Sequence, residues 1–122
     1  MIPANTFKLY DIIDIESRLR KTNNNSTATI RIRIGTRQSL GATLVATYTS
    51  TSATHSYIPI FRRLTIKNLT TGTETIPAAT SYVTDEGVVT EINSNISIDW
   101  SVNQYIILTG QLANSADIMN LM

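Results

Sequence analysis

The chain has 122 residues, 42% hydrophobic and 16% charged, with a net charge of +1 and no cysteine. That length supports one domain with its own core, and the missing thiols exclude disulfide frameworks, cysteine-ligated zinc and cysteine nucleophiles. The near-neutral balance supplies no long-range field to gather nucleic acid or an anionic membrane, and no apolar run approaches the roughly 18 residues that span a bilayer.

Thr, Ser and Asn make up about a third of the chain, a composition suited to strands with Thr on their open faces and Ser or Asn in the turns. The opening MIPANTFKLY lacks the basic start and apolar stretch of a secretory leader, so export by that route is not expected. Residues 1–6 are expected to form an extended arm. From residue 11, DIIDIESRLRK places Ile13, Ile15, Ser17 and Leu19 on one side and Asp14, Glu16, Arg18 and Arg20 on the other, which is a half-buried strand.

After TNNNS, TATIRIRIG turns Ala28, Ile30, Ile32 and Ile34 inward and Arg31 and Arg33 outward. The Asn-rich connection predicts a hairpin of these two strands, with Glu16 opposite Arg33 and Arg18 opposite Arg31. Two opposed arginines need an acid, and the candidates are Asp14, Glu16, Asp85, Glu86, Glu91, Asp99 or a group of a neighbouring subunit. The open face is thus solvated and paired within the chain, or a subunit interface, or an anion contact.

Gly35 to Gly41 reads as a loop. In the next strand, ATLVATYT, Leu44, Ala46 and Tyr48 share one side and Thr43, Val45, Thr47 and Thr49 the other. YIPIFRRLTIKN gives a longer strand with Ile58, Ile60, Leu64 and Ile66 buried, interrupted by Arg62, and with Pro59 requiring an edge or bulge. Residues 76–87 read as irregular. VVTEINSNISIDW resumes alternation through Ile92, Ile96, Ile98 and Trp100, YIILTGQL is a candidate central strand, and residues 113–122 form an apolar tail or a last strand. Seven or so short strands without a helical period predict a single all-β domain over 1–122, an antiparallel β-sandwich.

Chemistry is sparse. His55 is the one histidine and sits in a Ser/Thr-rich loop; Asp11, Asp14 and Glu16 do not share one strand face; the five glycines are scattered rather than clustered. Neither a catalytic triad, a metal set, a calcium loop nor a phosphate loop is assembled, so no catalytic, cofactor or metal residue is assigned and no enzyme is expected. Asn24, Asn25, Asn68 and Asn95 begin N-x-S/T triplets, which a chain this rich in those residues scarcely avoids. Arg18, Arg20, Arg31, Arg33, Arg62 and Arg63 are the candidate interface residues, and His55 and Tyr57 the candidate surface-binding ones.

Read together, IPANTFKLYDIIDIESRLRKT, TATIRIRIGT with LVATYT, FRRLTIKN and ISIDWSVNQYIIL resemble a β-sandwich domain of tail-fibre and other surface structural proteins of tailed bacteriophages. The resemblance spans most of residues 2–112 and carries no catalytic residue. It implies a jelly-roll-like domain, commonly a homotrimer, displayed on a virion as a tail-fibre tip or a capsid decoration protein and contacting other capsid or tail proteins. A start directly on the domain, without a shaft, favours a stand-alone module, and Met1 to Asn5 or the apolar tail are its expected anchors. The alternative is a host-receptor adhesin binding glycans through loops 36–41, 50–56 and 78–87. Neither nucleic acid nor membrane insertion is expected.

Overall fold

The chain is an all-β, antiparallel sandwich of two sheets. The computed structural model describes residues 1–22, 27–49, 57–70, 81–84, 87–90 and 96–122. Among them are eight strands: β1 (Ile12–Thr22), β2 (Ala28–Gly35), β3 (Thr43–Thr49), β4 (Tyr57–Thr65), β5 (Ser81–Thr84), β6 (Gly87–Thr90), β7 (Tyr105–Leu112) and β8 (Ile118–Leu121). One sheet has the order β4-β1-β8 and the other β5-β6-β3-β2-β7.

Side-chain alternation decides which face of each strand is covered. In β1, Ile13, Ile15 and Leu19 are buried; in β2, Ala28, Ile30, Ile32 and Ile34 have no exposed surface. These two rows belong to opposite sheets, and with Ile60, Leu64 and Ile66, Val45, Ala46 and Tyr48, and Ile96, Ile98 and Trp100 they form one core cluster. The Tyr48 hydroxyl crosses between the layers and donates to the Phe61 carbonyl at 2.7 Å.

The expected β1–β2 hairpin is therefore incorrect. β1 pairs with β4 and β8, and β2 with β3 and β7. Each strand has a single apolar face, and the sandwich satisfies both by turning the two faces toward each other instead of laying the strands side by side. The predicted pairs dissolve with it: Glu16 lies opposite Phe61 and Arg18 opposite Pro59, while Arg31 lies between Thr47 and Thr109.

Nested pairing of β1 with β8, β2 with β7 and β3 with β6 is that of a hairpin rolled up on itself, which makes the sandwich jelly-roll-like. It departs from a full roll in that β4 joins β1 and β5 joins β6. Pro59 is accommodated because, among the described residues, β4 has a neighbour on one side only.

Three further expectations are corrected. The register of β2 against β3 shifts between Ile32 and Arg33, so that Val45 is the extra residue of a bulge and is buried beside Ala46 rather than pointing away from it. Residues 81–84, within the stretch expected to be irregular, are strand β5; four residues are too few for alternation to declare itself. Among the described strands β7 is an edge strand, not a central one. Its run looks continuous because Leu108 and Leu112 pack on the core while Ile107, opposite Arg33, is on the other face.

Residues 113–122 do supply a last strand, β8, which completes the smaller sheet. β8 crosses over β7 at Gly110, where an added Cβ would stand 2.5 Å from Met119 Sδ; the glycine leaves room for that side chain. Residues 1–5 lie along the 99–104 segment. Ile2 and Gln104 exchange backbone hydrogen bonds of 2.7 and 2.9 Å, the Asn5 N–H donates to the Trp100 carbonyl at 2.9 Å, and the Phe7 ring meets Trp100 edge-on at 5.0 Å. The arm is thus fastened to its own domain. Ile92 lies outside the described residues, whereas Ile96, Ile98 and Trp100 keep alternating inward without joining a sheet.

Stability should follow this parity. Ile32→Ala is expected to cost about 2–5 kcal/mol and Ile12→Ala, on the open face of β1, no more than about 0.5 kcal/mol; urea denaturation of the two variants measures the contrast.

Candidate functional site

The six candidate interface arginines do not converge. Arg18, Arg20 and Arg63 stand on the outer face of the β4-β1-β8 sheet, Arg31 and Arg33 on the outer face of the other sheet, and Arg62 points inward and is 2% exposed. Arg62 sits opposite Ile15, on the core side of β4, and it is not offered to another subunit. Position 62 has the parity of Ile60 and Leu64, and its burial follows from that alternation.

Partners for the others lie within the chain. Arg63 grips Asp14 with two parallel bonds of 2.7 Å, and its guanidinium carbon lies 5.7 Å from the Phe61 ring centroid. Arg18 reaches Glu16 only at 4.0 Å, with both side chains largely in water, a contact worth little. Arg31 Nη1 donates to Gln111 Oε1 at 3.2 Å and Arg33 Nη1 to the Ala42 carbonyl at 3.0 Å. Among the described residues no acid lies over both Arg18 and Arg31, because they occupy different sheets; the candidates Asp85, Glu86 and Glu91 lie outside the described residues. His55 lies outside the described residues, as do loop 50–56 and most of 78–87; Tyr57 opens β4 opposite Arg20. Among the described residues, no group of three His, Asp or Glu side chains is placed to hold a metal.

A cleft of about 440 Å³ does form at one end of the sandwich. One wall is the β2–β3 connection, residues 36–42, and the other is the irregular segment 97–104. The connection folds on itself, the Ser39 N–H donating to the Arg37 carbonyl at 2.9 Å and the Ala42 N–H to the Ser39 carbonyl at 3.1 Å. Gly35 lets it close, since a Cβ there would be 2.8 Å from the Ala42 Cβ.

In the facing wall, Asp99 Oδ1 accepts from the Ser101 hydroxyl at 2.6 Å and from its N–H at 2.9 Å. Those two bonds hold the Asp99 carboxyl below the usual carboxylate value. Gln104 Nε2 donates to the Asp99 carbonyl at 2.5 Å. Its Oε1 is buried with no hydrogen-bond partner among the described residues, although a buried acceptor without one costs about 1–3 kcal/mol. Gln104, 3% exposed, and Asp99 both line the cleft, with Arg37 and Ser39 opposite.

Loop 36–41 is thus one wall of a cleft, as a binding loop requires, but its partners Asp99 and Gln104 carry no local signature. The one available hint is SVNQ, a polar break between an alternating stretch and a continuous apolar one. No protein-family model, curated protein or solved structure matches the chain.

The Asp14 carboxyl is held below its ordinary value of 3.8 by the hydrogen bonds from Arg63 and by the guanidinium charge. A carboxyl depressed in the folded state contributes stability above its unfolded value and loses it as pH falls through the folded one. Asp14→Asn is therefore expected to remove part of the loss of stability between about pH 5 and pH 2, read as urea midpoints of variant and parent across that range.

Proposed function

We propose that this chain is a non-enzymatic structural module of a bacteriophage virion surface, a capsid decoration protein or a tail-fibre tip, that assembles with copies of itself. The observation that carries the self-association is the side of the sandwich where β7 and β8 lie together. Among the described residues each has a strand neighbour on one side only, and neither YIILTGQL nor IMNL contains a charged residue or a proline. Open strand edges are ordinarily guarded by such residues, because unpaired backbone groups recruit another strand.

Ile106, Ile118, Leu121 and Met122 are all exposed along this side. An apolar, unguarded edge fits a second copy of the same chain, whose equivalent edge offers the same uncharged surface. The arginines give this assembly less support than their pattern first suggests, since Arg63, Arg31 and Arg33 are engaged within the chain. The virion setting rests on the family resemblance, which also implies threefold closure. A second reading, a host-receptor domain that binds glycans, is favoured by the polar cleft.

Sedimentation of the purified chain at micromolar concentration tests assembly. The parent is expected to run as an oligomer, and Ile118→Lys with Leu121→Lys as a folded monomer with an unchanged circular dichroism spectrum. A monomeric parent overturns the assembly. Locating the chain on head or tail in a virion reconstruction tests the setting.

A further inference from the structure

We infer that the cleft between residues 36–42 and 97–104 is a binding site for a neutral, polyhydroxylated ligand of about the size of one hexose ring. Its volume, about 440 Å³, lies within the range of small-ligand pockets and is many times the roughly 30 Å³ that one water occupies.

The lining chemistry selects the class. Gln104 cannot satisfy its own Oε1, because its Nε2 is committed to the Asp99 carbonyl; turning the amide over would set two oxygens against each other. The side chain therefore keeps an acceptor without a donor among the described residues. Asp99 uses Oδ1 for both Ser101 bonds, so its second carboxylate oxygen is a further acceptor. Across the cleft, Arg37 and the Ser39 hydroxyl are donors.

Charge narrows the choice again. Among the described residues, Arg37 and Asp99 are the two charged ones of the lining, and their charges cancel, so these walls prefer neither an anion nor a cation. A hydroxyl both donates and accepts, and a ring bearing several can meet donors on one wall and acceptors on the other without carrying charge. This deepens the glycan-binding reading above and rests on it for biological use, but the chemistry of the cleft stands on Gln104, Asp99 and Arg37 alone.

The test is a nuclear magnetic resonance titration of the ¹⁵N-labelled full chain with the methyl glycosides of glucose, galactose and mannose, alongside N-acetylneuraminate and inorganic phosphate. Saturable shifts of the Gly35–Thr43 and Ser97–Gln104 amides with at least one methyl glycoside, weaker with both anions, are expected. Arg37→Ala and Asp99→Asn, each checked as folded by its own spectrum, should weaken that binding about tenfold, the loss of one charge-assisted hydrogen bond. No saturable shift with any glycoside, shifts elsewhere on the molecule, or a stronger response to the anions would each overturn the inference. If the glycoside binds the cleft but the chain does not bind host cells, the ligand chemistry stands and the receptor reading fails.

Discussion

The structure depends on two rows of aliphatic side chains, from β1 and β2, that face each other across the sandwich. Ile30, Ile32 and Ile34 have no exposed surface at all, and Ile13, Ile15 and Leu19 almost none. Their mutual burial requires that two strands adjacent in sequence lie in different layers. From that separation follow the recruitment of β4 and β8 to β1, of β3 and β7 to β2, and the distribution of the outward arginines over two opposite surfaces. The bulge at Val45 is a local adjustment to the same demand, adding one more apolar side chain to the inner face of β3.

Faces were legible in the sequence and neighbours were not. Period-two alternation identifies Ile13, Ile15, Ile30, Ile32, Ile34, Ile60, Leu64 and Ile66 as inward, and each is buried. It also turns Arg62 inward, a parity the residue obeys despite its charge. The pattern says nothing of which strand lies alongside: a hairpin and a cross-sandwich arrangement bury the same positions, and an Asn-rich connection suits either. β7 shows the complementary ambiguity, since a run apolar on both faces describes a central strand or an edge left uncovered. The cleft was the least legible part. Gln104 matters because of one hydrogen bond to Asp99, a relation between backbone and side chain that composition cannot express.

The polar groups divide the surface by purpose. On the outside of the smaller sheet, Asp14, Arg63 and Phe61 form a closed set: the acid neutralises the cation, and the cation lies near the ring. That set is satisfied without a partner. The β7/β8 side and the polar cleft are its opposites, one leaving backbone edges open and the other leaving an amide oxygen unsatisfied. A buried acceptor without a partner is tolerated only where something else holds it in place, and here that is the 99–104 segment clasped by the N-terminal arm.

That clasp joins the first residues of the chain to the segment before β7. Ala4 bonds to Asn103 across a sequence separation of 99 residues, and the nested pairings likewise bring early strands onto late ones. Contacts of such separation carry a large loop-closure entropy and form slowly, after local ones. The wall of the cleft is held by contacts between the first five residues and the 99–104 segment, so its geometry is tied to residues almost a hundred positions away in the chain.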